Sequence, residues 1–170
     1  MLKIWTMKQQ QEKAENAEAA AAGDMADLTL PDTMRMDFAD PDDMLNFTLI
    51  IEPDEGMYTG GAFNFSFAIN QNFPHDPPKV KCLQKIYHPN IDLDGNVCLN
   101  ILREDWKPVL NLNAVVVGMQ FLFLEPNASD PLNKDAAKEL RETRDLFKRN
   151  VRLAMAGQTV HRVSYDRVLK

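Results

Sequence analysis

The residues best suited to chemistry in this sequence lie in the stretch 87–108, where a cysteine, an asparagine and a histidine are close together. Cys98 follows the turn residues Gly95 and Asn96, and Asn90 precedes them. Because glycine adopts positive φ freely and asparagine tolerates it, this turn can fold the chain until Asn90 faces Cys98. A thiol on such a loop, beside a fixed amide, is typical of a nucleophile rather than of a core residue.

The order of these residues resembles the active-site signature of ubiquitin-conjugating enzymes. A His-Pro-Asn tripeptide ends at Asn90, eight residues before Cys98, and a Trp-x-Pro element begins at Trp106, eight residues after it. Further blocks, PHDPPKV, EPN and DPLN, also look like blocks of this family, and the resemblance covers roughly residues 25–170. It implies that Cys98 accepts the C-terminal carboxyl of a ubiquitin-like modifier as a thioester and then delivers it to a lysine amine. ATP is used upstream by the activating enzyme, so no cofactor is expected in this chain.

The resemblance assigns catalytic parts to two further residues, each with an alternative. Asn90 would donate to the oxyanion that forms when an amine attacks the thioester, a contribution of roughly 3–4 kcal/mol for comparable donors. Alternatively, Asn90 mainly holds the active-site loop in shape. Asp130 would position the incoming lysine at the mouth of the site; alternatively, it is a turn or helix-capping aspartate.

His88 and Pro89 are predicted to be structural at the site. A Cys–His–Asn hydrolase is disfavoured because His88 is directed by the adjacent proline and no second acid–base residue is evident. In the family this histidine bonds the backbone of its own loop. A zinc site is weaker still, since no paired ligand spacing exists.

Two loops resemble those that the family offers to RING-type ligases. One contains His75 between prolines, and the other contains Trp106 and Pro108. Alternatively, Trp106 is a lid that packs on its own loop, and both interpretations keep it near the surface.

The elements that must position these residues are predicted from hydrophobic periodicity. Alternating apolar residues and short turns predict an antiparallel meander of strands near 34–38, 45–51, 63–69 and 79–83. Apolar runs and amphipathic spacing predict helices near 112–124 with Asn113 as N-cap, 134–151 with Asn133 as N-cap, and 160–169. The order predicts an α+β domain with helices segregated from a four-stranded meander, which is also the fold that the resemblance implies.

The N-terminus carries large apolar residues that local structure cannot bury: Met1, Leu2, Ile4, Trp5 and Met7. They predict a docking peptide for a partner, although packing on the chain's own core is the alternative. The polar and alanine-rich tract that follows predicts a flexible linker. We therefore divide the chain into a docking peptide with linker, 1–23, and a catalytic core domain, 24–170.

Within the family, this N-terminus together with LNILREDWKPVL and SDPLN is similar to the conjugating enzymes of neddylation. That resemblance implies a heterodimeric activating enzyme, a Nedd-type modifier, a RING-type ligase and co-ligase, and cullin substrates. One departure is a shortened first helix, because no Arg or Lys lies between Lys13 and Arg35. The alternative is that the linker supplies a substitute helix over 12–22.

The composition excludes some function classes. The formal net charge of −6 argues against nucleic-acid binding. The sequence contains no run of 18 apolar residues, so we expect no membrane span. We expect a monomer in cytoplasm and nucleus. The rival functions are a ubiquitin-conjugating enzyme proper and a non-catalytic scaffold of the same fold.

Overall fold

The computed structural model describes all residues, 1–170, and its centre is a four-stranded antiparallel sheet in the order β1-β2-β3-β4. The predicted meander is therefore confirmed. In β3 alternation buries every second side chain, so the phenylalanines at 63, 65 and 67 all face the core. The strands are β1 Met34–Asp37, β2 Asn46–Ile51, β3 Phe63–Ala68 and β4 Lys79–Cys82.

Helix α2 (Leu112–Leu124) packs its apolar side chains on the buried face of this sheet. Phe123 stacks on Phe63 with ring centroids 4.5 Å apart, and Tyr58 meets Phe123 edge-on at 5.4 Å. The N-cap is Asn111, whose side chain accepts from the Ala114 amide, and not Asn113 as predicted. Since α2 is anchored to the core, loops that contact it are held in place.

The N-terminal segment is a single helix, α1 (Leu2–Ala26), so the prediction of a flexible linker is wrong. The alternative, a helix over 12–22, agrees with the structure, and α1 also runs across the domain boundary that we placed at residue 23. Ala17 and Ala21, four residues apart, are fully buried in the core cluster. The sequence pattern does not predict this burial, because two alanines lack the broad apolar stripe of most core-facing helices. Only this C-terminal part of α1 packs on the body.

Side chains join the end of α1 to the start of α2. The Leu112 amide donates to the Asp24 carboxylate, at 3.3 Å. Asn113 accepts from the Thr29 amide and donates to the Asp27 carbonyl. Asn113 is therefore a link between helices rather than a cap.

The helix predicted over 134–151 is two helices, α3 (Lys134–Glu142) and α4 (Arg144–Met155). Thr143 between them is extended, with φ −142° and ψ 71°. The break was invisible in the sequence because the apolar spacing continues in phase across it. Asn133 caps α3 as predicted, accepting from the Ala136 amide.

The prediction of a C-terminal helix over 160–169 is wrong. The chain instead forms a two-stranded hairpin of β5 (Thr159–Val160) and β6 (Val163–Ser164). His161 and Arg162 between them have φ of 50° and 66°, and positive φ at both central residues is what a type I′ hairpin turn requires.

A buried carboxylate ties this hairpin and both C-terminal helices to the catalytic region. Glu139 accepts from the Tyr87 hydroxyl at 2.6 Å and from the Asn150 amide at 2.9 Å, and it also pairs with His161. Tyr87 directly precedes His88, so the α3–α4 unit fixes the start of the active-site loop.

Candidate active site

The turn before Cys98 has the geometry that the sequence predicted. Gly95 has φ of +88°, and a Cβ at this position would lie 2.2 Å from the Cys82 carbonyl oxygen, so only glycine fits. The Asp92 carboxylate accepts from the amides of Asp94 and Asn96 and closes the turn. The chain then returns antiparallel to the segment that contains Asn90.

The turn brings Cys98 and Asn90 together. The Cys98 amide donates to the Asn90 carbonyl at 2.8 Å. The Cys98 side chain is half-buried, and its Sγ lies 3.6 Å from the Asp130 carbonyl oxygen. The other cysteine, Cys82, is also a free thiol, but it is buried in β4, and burial raises its pKa to about 11. Cys98 is therefore the accessible nucleophile, because a thiolate at Cys82 is disfavoured and shielded.

A groove of about 540 Å³ opens beside Cys98 and extends along α2. Asn90, Asn127 and Asp130 line its polar end, and Val117 and Ile101 line its apolar end. An extended chain end with a terminal carboxyl could lie along such a groove and reach the thiol.

His88 is buried and bonded at both ring nitrogens. Nδ1 accepts from the Asn90 amide at 3.0 Å, so the proton is on Nε2, which donates to the Leu122 carbonyl at 2.6 Å. Burial lowers the pKa of His88 to about 4, and the ring stacks on Tyr58. The arrangement leaves no nitrogen free for a metal or for a proton at Cys98. It fits the structural role that we predicted for His88.

Pro89 is buried next to it, and its carbonyl accepts from the amides of Leu132 and Asn133. The His-Pro-Asn tripeptide thus holds α2 on one side and the start of α3 on the other. Nowhere do three or more His, Cys, Asp or Glu side chains group in a way that could hold a metal ion.

The Asn90 side chain is 3% exposed and bonded to a single partner residue. Its Oδ1 accepts from the Asn127 amide at 2.9 Å, and its Nδ2 donates to the Asn127 carbonyl at 2.8 Å. This reciprocal pair braces the loop against the segment after α2. Nδ2 carries two hydrogens, so a second donor remains for an oxyanion. Both roles predicted for Asn90 are compatible with the geometry.

Asp130 lies at the mouth of the groove with an exposed side chain and a φ of 51°, which aspartate tolerates better than most residues. It does not cap α3, because Asn133 does so. The capping alternative is thus wrong, whereas the turn alternative agrees with the positive φ of Asp130. The backbone carbonyl of Asp130 lies 3.6 Å from the Cys98 Sγ, and its side chain is exposed.

Sequence reasoning missed two residues of this site, Asn127 and Arg103. Asn127 stands in the EPN block, which we noted only as a family block. Arg103, in LREDW, donates from Nη2 to the Cys98 Sγ at 3.1 Å. Each contact depends on chain folding that spacing alone does not reveal.

The two predicted ligase loops are joined by Trp106. Its indole Nε1 donates to the Pro74 carbonyl at 2.9 Å, and its ring lies 6.2 Å from that of Phe73. Trp106 is buried, so the expectation that it stays near the surface is wrong, and its ring packs on the other loop, at Phe73 and Pro74, rather than on its own. His75 and Pro108 are exposed on either side and can contact a partner.

The predicted docking residues all project from the free end of α1. Met1, Leu2, Ile4, Trp5 and Met7 are each more than 60% exposed. They do not pack on the chain's own core, so that alternative is wrong. None of the helices is long and apolar enough to cross a membrane.

Comparison with known proteins agrees with this fold. Residues 11–155 match the model of the ubiquitin-conjugating enzyme family, so the chain belongs to that family, whose members are transferases. A "NEDD8-conjugating enzyme UBC12" from Yarrowia lipolytica is 59% identical over 99% of this chain and 99% of its own length. A "Nedd8-conjugating enzyme UbcE2M" from Drosophila melanogaster is 54% identical over 98% of this chain and 97% of its own length. The solved structure of S. cerevisiae Ubc12 covers 100% of both chains at 44% identity, with a TM-score of 0.87.

Proposed function

We propose that this protein accepts a NEDD8-type modifier as a thioester on Cys98 and transfers it to lysine side chains of target proteins. The observation that carries the proposal is the similarity to NEDD8-conjugating enzymes over nearly the whole length of each relative. The fold alone would not select the modifier, because one fold serves many related activities.

The first step is a transfer between two sulfurs. The Cys98 sulfur attacks the carbonyl carbon of the modifier's thioester on the activating enzyme, a new S–C bond forms, and the activating enzyme's thiolate leaves. Cys98 suits this step because it is partly exposed and lines a groove of about 540 Å³ that could receive the modifier's chain end. The second cysteine, Cys82, is buried and does not compete for the modifier.

The second step is aminolysis. A lysine amine attacks the thioester carbonyl, negative charge develops on the carbonyl oxygen, and the C–S bond then breaks. Asn90 is held next to Cys98 with one N–H unused by Asn127, and this N–H would stabilise the oxyanion. A lysine has a reference pKa near 10.4, so it arrives charged. The exposed carboxylate of Asp130 would position the ammonium, and desolvation would then favour the neutral amine.

Three surfaces would serve the partners. The exposed apolar side chains on the first two turns of α1 would enter grooves on a heterodimeric activating enzyme, and Met1 would enter a pocket on a co-ligase. His75 and Pro108 would contact a RING-type ligase, with Trp106 holding their loops together. Cullins are the expected substrates, and we expect the protein to act as a monomer in cytoplasm and nucleus.

The test is thioester formation with purified components. With ATP, a NEDD8-specific activating enzyme and NEDD8, the chain should gain one modifier mass in a bond that reductant cleaves. Cys98→Ser should form a reductant-resistant ester, whereas the matched variant Cys82→Ser should behave like the parent. Loading with ubiquitin from a ubiquitin-activating enzyme, and not with NEDD8, would replace the proposal by a ubiquitin-conjugating enzyme proper. No loading with either would favour a scaffold.

A further inference from the structure

We propose that Arg103 is a further catalytic residue, whose guanidinium stabilises negative charge on the Cys98 sulfur both when this sulfur attacks and when it leaves. The inference rests on the proposed thioester role of Cys98. It adds a cation to a site in which sequence reasoning found only a thiol, an amide and a carboxylate.

The contact itself is short. The Arg103 Nη2 lies 3.1 Å from the Cys98 Sγ, within donor reach of sulfur. A guanidinium is charged at every accessible pH and offers five N–H donors, so it always presents a cation and a hydrogen bond to this atom. Hydrogen bonds to an ionised acceptor are about twice as strong as neutral ones. The contact is therefore stronger for the thiolate than for the thiol.

The backbone holds Arg103 in this place. A single turn of 3-10 helix, Asn100–Leu102, reverses the chain after Cys98. The Arg103 amide donates to the Asn100 carbonyl at 3.0 Å, and the Arg103 carbonyl accepts from the Trp106 amide at 3.2 Å. Trp106 is in turn anchored to Pro74, so the backbone of Arg103, five residues after Cys98 in the chain, is held in place.

The sulfur lies between a donor and an acceptor. On one side is the Arg103 guanidinium, and on the other is the Asp130 carbonyl oxygen at 3.6 Å. A neutral thiol can donate its proton to that carbonyl, whereas a thiolate can only accept from the arginine. The two neighbours thus serve the two protonation states of the same atom.

Glu104 opposes this effect. Its carboxylate oxygen lies 3.7 Å from the Arg103 Nε, and the two side chains are 62% and 45% exposed. The carboxylate partly neutralises the guanidinium, and solvent screens both. Removing Glu104 should therefore strengthen the effect of Arg103 on the sulfur, which gives the proposal a test of opposite sign.

In the transfer reaction, the amine nitrogen bonds to the thioester carbonyl carbon, the C–S bond breaks, and its electron pair remains on the Cys98 sulfur. The amine proton passes to solvent or to a carboxylate. The guanidinium donates to the sulfur as the charge appears and is neither consumed nor deprotonated. The same donor contacts the Cys98 sulfur when it attacks during loading.

The first experiment measures the local field without any modifier. The free enzyme is alkylated at one pH by iodoacetate, an anion, and by iodoacetamide, its neutral analogue, and labelling of Cys98 is followed by mass spectrometry. The thiolate fraction enters both rates and cancels in their ratio. Arg103→Gln should lower the iodoacetate-to-iodoacetamide ratio by about two- to fivefold, since a half-exposed cation near the sulfur attracts the anion. Arg103→Lys should keep most of the ratio, and Glu104→Gln should raise it.

The matched control is Arg149→Gln, which removes the same charge from an exposed position on α4 and should leave the ratio unchanged. The second experiment measures discharge of the loaded enzyme to free lysine, which should be about fivefold slower in Arg103→Gln and partly restored in Arg103→Lys. An unchanged alkylation ratio in Arg103→Gln, or an unchanged discharge rate, overturns the proposal. If the parent loads no modifier, the proposed function is wrong, while the alkylation ratio still decides whether Arg103 sets the charge environment of Cys98.

Discussion

The loop that carries the His-Pro-Asn tripeptide and the free end of α1 differ in almost every physical respect. His88 and Asn90 are 0% and 3% exposed, and their side chains are bonded to backbone groups of α2 and of the segment that follows it. Leu2 and Trp5 are 82% and 62% exposed and meet no other part of the protein core. The loop buries polar side chains inside the protein, and the free end of α1 exposes apolar side chains to solvent.

The difference shows how each region works. A thioester site must hold its donors within a few tenths of an ångström, and buried polar side chains achieve this because an unpaired one costs about 1–3 kcal/mol. The apolar side chains at the free end of α1 are not buried by the rest of the protein, so they remain available to a partner. The comparison separates residues whose loss damages the fold from residues whose loss damages only assembly.

Deleting residues 1–11 should have the largest effect on activity and almost none on the fold. If two apolar anchors that become buried on the partner contribute about 1–3 kcal/mol each, loading should fall at least about thirtyfold. The measurement is the initial rate of thioester formation, with the melting temperature as control. A deletion that loads at the parental rate would remove the docking role from this end of the chain.

Lowering the pH should weaken the active-site region specifically. The pKa of His88 is about 4 in the folded protein against 6.5 when exposed, so between these values the unfolded chain binds more protons. The stabilisation is complete above pH 6.5 and is lost as the pH falls toward 4. From pH 7.5 to pH 5 the contribution of His88 should fall by about 2 kcal/mol.

Urea unfolding at the two pH values measures this loss, and His88→Gln supplies the reference. The variant should be less stable at neutral pH but should lack this part of the pH dependence. Equal pH dependence in parent and variant would contradict a buried neutral histidine.

Asn90→Ala should separate the two roles of this residue. As an oxyanion donor, Asn90 is needed when the amine attacks, so the variant should load almost normally and discharge at least about tenfold more slowly, a barrier rise above about 1.4 kcal/mol. Asn46→Ala, which truncates an exposed asparagine of β2 outside the groove, is the matched control. Equal losses in loading and discharge, together with a lower melting temperature, would instead assign Asn90 to loop support.

The smallest effect is expected from truncating Trp5. Trp5→Ala should change the free energy of unfolding by less than about 0.5 kcal/mol, because the ring lies in solvent. On the same helix, Ala17→Leu should cost about 1–3 kcal/mol, because Ala17 is fully buried. Thermal unfolding of both variants measures the contrast, and equal losses would mean that the two ends of α1 are held alike.

Much of the fold was encoded locally. The alternation of phenylalanines at 63, 65 and 67 predicted a strand with one buried face, and β3 has this pattern. Gly95 and Asn96 predicted the turn before Cys98, because both tolerate positive φ, and Gly95 has φ of +88°. Such features depend on period and backbone freedom, which are properties of neighbouring residues.

Other features were decided only when distant segments met. The bracing partner of Asn90 is Asn127, 37 residues away, and nothing in the spacing connects them. Trp106 is buried because the Pro74 carbonyl, 32 residues earlier, accepts its indole N–H. Ala17 is part of the core because α1 packs on the rest of the domain. This packing stabilises α1, because an isolated alanine-rich helix is only marginally stable.

The sequence by itself determined where the strands lie and which turn presents Cys98. The tertiary structure decided that α1 is continuous, that residues 134–155 form two helices, and that the chain closes with a hairpin instead of a helix. It also decided that Arg103 reaches Cys98. The reason is that periodicity and turn chemistry act between neighbours in the chain, whereas burial, hydrogen-bond pairing and the charge around a thiol depend on segments that only folding brings together.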